Sequence, residues 1–531
     1  MFKLALPLVF LSIPVLGQLL ALQEPSAPIS VAYAPESEAV VPDPITGRCS
    51  NEYKVMTMHL SSIASGQEFT VLDHPRFPAH RVRIKKAEFC DPTVNVYTGY
   101  LDVDQGAKHL FFYFFESRRN PDAGTCLEEP TRLLFVHGPS HGTWTLQHRY
   151  EQRLSKRDHM ESVLLEQRSE HLLPRPAASL FSPCFHVEYA LIPGVTRLIL
   201  RVGVGFSYAE HGETVETTEE AAQNIAAFIS IFFETFNQFK GRPLHLAGES
   251  YGGRYLPVFA SEIWDQNQYA EEEGRPLINL QSVVIGNGIT DISTLYAGRY
   301  EIECGTAALD VPFQFISTCV RMKKALPRCE QAMNKYCVKA FDEMSCRAAV
   351  DFCNNELSSG YWASGRNVYD ISKMCLGDDL CYLENIAISD FLNQPALRES
   401  LGVESPNEFH PCSHAVGTDF DSHMDKYAAP TQYYVAGLLE RGIRVLIYAG
   451  TYDWQCNWVA NKLWVDKLEW SGHDGYHNAS WHDWTVEGAK AGETKSWGNL
   501  TFATVRGAGH MMSTFLFFFL PDDFVRTDSV D

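Results

Sequence analysis

The chain has 531 residues, with 44 Lys and Arg against 65 Asp and Glu, so its formal charge is −21. Its 45% hydrophobic and 21% charged residues are ordinary globular values and exclude a disordered chain. The acidic balance argues against nucleic acid as a partner, because phosphate binding needs clustered Lys and Arg, and it disfavours an anionic membrane surface.

In chain order, Met1-Phe2-Lys3 is a short basic start, Leu4 to Leu16 is apolar, and small residues follow at Gly17 and Ala21. That is the order of a signal peptide, expected over residues 1–21; a signal anchor is the competing reading, but the stretch is short for a span. A secreted or vacuolar destination follows, and export permits disulfides. Residues 22–45, rich in Pro, Ala, Ser and Glu, read as a flexible leader. No later segment reaches 18 uninterrupted apolar residues, so no membrane span is expected after cleavage. Tyr97 to Glu116 predicts two strands around the turn Asp104-Gln105-Gly106. Thr217-x-x-Glu220 is a capping box before Ile225, Phe228, Ile229, Phe232 and Phe236, which share one helix face. Leu244–Gly248, Ser282–Gly286 and Val445–Tyr448 are short apolar strands, and Tyr255–Asp265 is helix-like. Strands alternating with helices predict an α/β fold with a mostly parallel sheet.

Two stretches break the alternation. Seven of the fourteen cysteines lie between Cys319 and Cys381, with Cys304 just before them, so residues 300–385 read as an inserted, disulfide-tied lobe. Residues 131–200 carry 8 Lys and Arg against 6 Asp and Glu, and 6 of the 19 His, unlike the rest of the chain. Within them, Thr145–Glu170 shows neither a helical stripe nor strand alternation. His148-x-x-Glu151 has a zinc-ligand spacing, but nothing around it supplies a third ligand, so no metal and no cofactor are expected. Asn478-Ala-Ser and Asn499-Leu-Thr are glycosylation sequons.

Gly248-Glu249-Ser250-Tyr251-Gly252 matches G-x-S-x-G, with an apolar strand before it and a helix after. That context makes a sharp turn that exposes the serine oxygen, while the next N–H points at a developing oxyanion. A serine nucleophile needs a base and an acid to orient it, in the chain order Ser, acid, His. Asp453 follows the strand Val445–Tyr448, and His510 follows Leu500–Val505. Taken singly, Asp453 reads equally as a helix cap and His510 as a satisfied turn residue.

Together these residues resemble the serine carboxypeptidase family. The matching text is Tyr97–Val103, Phe114–Ser117, Val202-Gly-Val-Gly-Phe-Ser-Tyr208, Ala247-Gly-Glu-Ser-Tyr-Gly-Gly-Arg-Tyr255, Ile285-Gly-Asn-Gly288, Ala449–Asp453, Cys456-Asn-Trp458 and Gly509-His-Met511. The resemblance implies an α/β-hydrolase fold over residues 46–511 with an inserted, disulfide-rich helical cap. It implies Ser250 as nucleophile, Asp453 as acid, His510 as base and the Tyr251 N–H as oxyanion donor. Glu249 would help hold the substrate's terminal carboxylate, which requires a protonated Glu249 and hence an acidic working pH. Met511 would wall the leaving-residue pocket, with ordinary packing as the alternative. The implied disulfides are Cys304–Cys319, Cys329–Cys353 around Cys337–Cys346, and Cys375–Cys381. Cys456 would be a buried free thiol near the site. The substrates implied are peptide or protein C-termini.

The chain departs from the family in two places. A glycine-rich Asn-Gly-Gly-Pro-Gly-Cys-Ser-Ser stretch is replaced by Phe135-Val-His-Gly-Pro-Ser-His141. The second oxyanion glycine goes with it, as do a substrate-binding Glu and the cysteine expected to pair with Cys412, which would leave Cys412 an orphan. After Met511, residues 512–531 form an atypical tail. Segments 127–201 and 512–531 read either as out-of-frame or unspliced translation or as real divergence. Three readings therefore stand: an acidic-pH serine carboxypeptidase acting through an acyl-enzyme, an esterase or acyltransferase on the same triad, and a catalytically impaired or dead homologue.

Overall fold

The computed structural model describes residues 55–66, 68–88, 95–116, 189–192, 194–198, 203–375, 381–382, 384–428, 430–486 and 488–511. The expected signal peptide and leader, Thr145–Glu170, His148, Glu151, Phe135–His141 and the tail 512–531 lie outside them.

Strands β1 (Thr70–Asp73), β2 (His80–Ala87), β3 (Val96–Val103) and β4 (Lys108–Glu116) form an antiparallel ribbon. The turn expected at Asp104-Gln105-Gly106 joins β3 to β4, with Gln105 and Gly106 both at positive φ. Strand β4 is aromatic on both faces because both faces are covered. Phe112 and Phe114 meet Phe228 and Phe232 at 5.0 and 5.1 Å between ring centroids, and Phe111 meets Tyr100 and Phe206 at 5.0 and 5.3 Å. Alternate residues point to opposite faces, and each buried Phe contributes about 1.5–3 kcal/mol. Strands β5 (Tyr189–Ile192) and β6 (Gly194–Leu198) follow as a hairpin, and β7 (Tyr208–Ala209) pairs with β4.

Helix α1 (Thr218–Thr235) carries the expected aromatic face. The Thr217 side chain accepts from the Glu220 N–H, but Glu220 reaches the N–H of Glu216 (3.1 Å) one residue before the cap. Next come β8 (Pro243–Glu249), helix α2 (Gly252–Glu272), longer than the expected Tyr255–Asp265, and β9 (Asn279–Gly286).

The inserted lobe is helical: α3 (Leu295–Cys304), α4 (Ile316–Met333) and α5 (Glu343–Leu357), with a small hairpin of β10 (Arg366–Asn367) and β11 (Asp370–Met374). All four implied disulfides are present: Cys304–Cys319, Cys329–Cys353, Cys337–Cys346 and Cys375–Cys381. Cys412 is disulfide-bonded as well, which corrects its expected orphan state. Its bridge does not depend on the glycine-rich stretch that this chain lacks.

The chain ends its described part with β12 (Arg444–Gly450), helix α6 (Trp458–Asp466), β13 (His482–Val486), β14 (Ala489–Trp497) and β15 (Leu500–Val505). The sheet order is β1-β2-β3-β4-β6-β5-β8-β9-β12-β15-β14-β13. The sheet is mixed. Strands β8, β9, β12 and β15 run parallel in its middle, and every pairing outward of them is antiparallel. The hairpin β5–β6 comes from the compositionally odd stretch, and it joins β4 to β8 through antiparallel pairs. No helix among the described residues is long and apolar enough to cross a membrane.

Candidate active site

The carboxyl ends of parallel strands deliver loops to one side of a sheet. Strand β8 ends at Glu249 and turns into α2 through Ser250, whose φ is +65°, a left-handed backbone that costs a non-glycine residue energy. The Ser250 N–H donates to the Gly286 carbonyl (3.0 Å), and its own carbonyl accepts from Gly253 and Ile289 N–H (3.1 and 2.9 Å). Gly253 permits this tight turn, since a Cβ there would stand 2.6 Å from the Ile289 nitrogen. Tyr251 caps α2, so its N–H lies at the positive end of the helix dipole.

Asp453 follows β12 and His510 follows β15, both essentially buried, at 0 and 1% exposure. His510 Nδ1 lies 2.6 Å from Asp453 Oδ2. The other carboxylate oxygen accepts from the Cys456 N–H (3.1 Å). His510 Nε2 is buried and makes no hydrogen bond to any described residue, which leaves it open to a proton from elsewhere. Burial pushes the His510 imidazole down, but the Asp453 carboxylate and Cys456 together outweigh it and hold the ring well above the ordinary histidine range.

Cys456 is a free, buried thiol lying against His510 and Ser250. Burial pushes the thiol up, against the pull of His510, so it stays protonated. A ring nitrogen of His510, the Cys456 sulfur and a carboxylate oxygen of Asp453 lie within 4.8 Å of one another, the arrangement that a soft metal would need. Each Asp453 oxygen already holds one of the groups beside it, His510 Nδ1 or the Cys456 N–H.

Met511 packs with Tyr369, Tyr382 and Trp454 in one apolar cluster beside the histidine. The Tyr369 ring is 5.3 Å from the His510 ring and stacks on Tyr382 at 5.5 Å. Glu249 is buried at the end of β8, directly before Ser250. The lobe's Tyr369 and Tyr382 thus meet the loops after β12 and β15 at His510.

The comparisons with known proteins agree with this geometry. A family model described as serine carboxypeptidase matches residues 201–516. Carboxypeptidase Y homolog A of Aspergillus niger is 35% identical over 447 residues, 82% of this chain and 73% of that protein. Carboxypeptidase Y of Candida albicans is 34% identical over 448 residues, 84% of this chain and 75% of that protein. The chain belongs to the serine carboxypeptidase family. As a member it is a hydrolase of the serine carboxypeptidase type. A prohormone-processing carboxypeptidase from Saccharomyces cerevisiae, Kex1(delta)p, superposes with a TM-score of 0.56 at 18% identity, over 82% of this chain and 93% of that one. That likeness speaks for the fold, an α/β hydrolase with an inserted cap.

Several residues at the site carry no local sequence signal. Tyr369 is tied to His510 through its carbonyl, which accepts from the His510 N–H (2.6 Å). Asp425 is buried and accepts from the Tyr251 hydroxyl (2.6 Å), the Thr218 N–H (2.9 Å) and Arg254 Nε (3.3 Å). It fastens the residue after Ser250 to the start of α1. Nothing within a few positions of Asp425 points to it; only the fold brings residues 174 apart together. Of the sequon asparagines, Asn478 is exposed at the end of a short helix (His473–Asn478), and Asn499 is half-buried in the β14–β15 turn.

Proposed function

We propose that this chain releases C-terminal residues from peptides and proteins through an acyl-enzyme on Ser250, working at acidic pH. The observation that carries the reading is the buried His510–Asp453 pair, with Nε2 open, beside a serine held at positive φ. Ser250 Oγ attacks the carbonyl carbon of the last peptide bond while Nε2 of the neutral imidazole takes the hydroxyl proton, so the rate falls on the acid side as the ring becomes fully protonated. The Tyr251 N–H donates to the oxyanion. The C–N bond then breaks, Nε2 gives its proton to the leaving amine, and an ester to Ser250 remains. Water attacks that ester with the same proton relay and restores the serine. Asp453 holds Nδ1 and supports the imidazolium.

Glu249, protonated, donates a hydrogen bond to the substrate's terminal carboxylate, and Met511 with Tyr369 and Tyr382 walls the leaving residue. A charged Glu249 would repel that carboxylate, which is why the reading sets an acidic working pH. The amino-terminal pattern supports entry to the secretory pathway, and Asn478 and Asn499 are proposed as glycosylated there.

An organophosphate labelling experiment, paired with a C-terminal release assay near pH 5, tests the reading. Folded wild-type protein is expected to take one label on Ser250 and to release terminal residues. Ser250→Ala is expected to take no label and to lose about 10⁶ in kcat. Folded wild type that takes no label would favour the catalytically dead alternative. Faster turnover of acyl esters with no peptide release would favour the esterase.

A further inference from the structure

The loop after β9 touches every segment that carries a reacting group. Gly286 accepts from the Ser250 N–H (3.0 Å), and the Ile289 N–H donates back to the Ser250 carbonyl (2.9 Å). Between them stands Asn287, fully buried, with φ at +41°, a conformation that asparagine tolerates better than most residues. Its side chain joins the other two loops. The amide Nδ2 donates to the His510 carbonyl and to the Gly509 carbonyl (3.3 Å). The amide oxygen accepts from the Gly450 N–H (2.8 Å), three residues before Asp453. Its backbone N–H donates to the Tyr448 carbonyl (2.8 Å).

From this geometry we infer that Asn287 is a positioning residue that sets the distance between Asp453 and His510. The inference rests on the reading of Ser250, Asp453 and His510 as the reacting triad. The reason is mechanical. Asp453 and His510 hang from different strands, β12 and β15, and the Nδ1–Oδ2 contact is good only if both loops hold their relative position. A primary amide offers a donor on one side and an acceptor on the other in one rigid plane. No charged side chain can do this here without placing a net charge beside backbone dipoles in a dry site.

Two variants separate this role from simple folding support. Asn287→Gly keeps the left-handed backbone and deletes the clamp. Asn287→Asp keeps the shape and the acceptor for Gly450, loses the donation to Gly509 and His510, and when ionised adds a negative charge beside their carbonyls. Active-site titration with an organophosphate counts the competent molecules, so kcat is read per working site. Misplacing a reacting group by about 1 Å costs on the order of 10²-fold. Both variants are therefore expected to lose about 10²-fold in kcat per titrated site, with KM unchanged. In Asn287→Gly the acid limb of kcat/KM is also expected to move to lower pH, by about one pH unit, because a loosened Asp453 no longer holds the imidazolium as well; the carboxylate added by Asn287→Asp itself favours the imidazolium, so that variant is read by kcat per site alone.

A role confined to folding would reduce the titrated fraction and leave kcat per site in place, and in Asn287→Gly the acid limb as well. That result in either variant overturns the inference. If Asn287→Gly does not fold, Asn287→Asp alone decides, since it is isosteric. The wild-type control tells the two readings apart. Wild type that takes no label removes the triad reading and this inference with it. Wild type that is labelled and active, with variants of unchanged kcat per site, removes the inference alone.

Discussion

The two halves of the site are held by different means. On the sheet side, four parallel strands are buried among hydrophobic neighbours. Hydrogen bonds at their ends fix Ser250, Asn287, Asp453 and His510. On the cap side, helices α4 and α5 bury little. Ile316 is 85% exposed and Met344 84%, and the helices' own core is a small cluster in which four of the twelve buried residues are disulfide cysteines. A sheet that closes its own core can place reacting groups by packing. A lobe with so thin a core is held by cross-links. Changes on the sheet side should therefore strike chemistry, and changes on the cap side should strike stability.

Asp453→Asn tests the first half and carries the largest expected effect. It keeps the shape of the side chain but removes the carboxylate that orients and stabilises the imidazolium. A loss of about 10⁴ in kcat is expected, with the thermal midpoint little changed. The His510 imidazole is also expected to fall, since Asp453 is the first of the two groups that hold it up against burial, Cys456 being the other. Release kinetics together with histidine NMR titration would read both. A large drop in the midpoint with modest kinetic loss would mean that the buried pair mainly holds the fold.

The cap prediction is smaller. Paired Cys329→Ser and Cys353→Ser open a cross-link across 24 residues, which corresponds to about 3 kcal/mol of chain entropy. The Cys375–Cys381 bridge spans only 6 residues, and its loss should cost less. Calorimetry of the first variant is expected to show an early transition for the lobe, with the sheet melting at its original temperature. One shared transition at a lower temperature would break the distinction between the halves.

Much of this was legible in the sequence, and what was not has a physical cause. The strand-turn-helix around Ser250 and the hairpin at Asp104–Gly106 rest on contacts between near neighbours, which pattern reading sees. The four cap bridges came from family resemblance, since spacing alone allows many pairings. Asn287, Asp425 and Tyr369 escaped because their partners lie far away in the chain. Asn287 reaches His510 across 223 positions. The antiparallel joining of β5 and β6 into the sheet was also unforeseen, because residues 131–200 show a charge anomaly but no clear period.

The seam between the halves offers the finest test. Glu303, at the end of α3, is fully buried and accepts from Trp454 Nε1 (2.8 Å) and Gln314 Nε2 (2.7 Å). Trp454 follows Asp453, and Gln314 precedes α4, so this carboxyl joins the Asp453 loop to the cap. Burial pushes the Glu303 carboxyl up to about 7, against the two hydrogen bonds and the nearby Arg299. Between about pH 4.5 and 7 the unfolded chain has released this proton while the folded one keeps it. The folded state therefore binds more protons, and the stability contribution is present at acidic pH and fades as pH rises through that window. Each pH unit crossed in that window is worth about 1.4 kcal/mol, so the wild type should lose roughly 3 kcal/mol from this group across it. Glu303→Gln cannot titrate, so its stability relative to wild type should rise steadily from about pH 5 to about pH 7 in urea unfolding. A pH-independent difference would show that Glu303 does not couple the cap to the sheet through its proton. The expected slope would make the seam tightest at the acidic pH at which we propose the enzyme works.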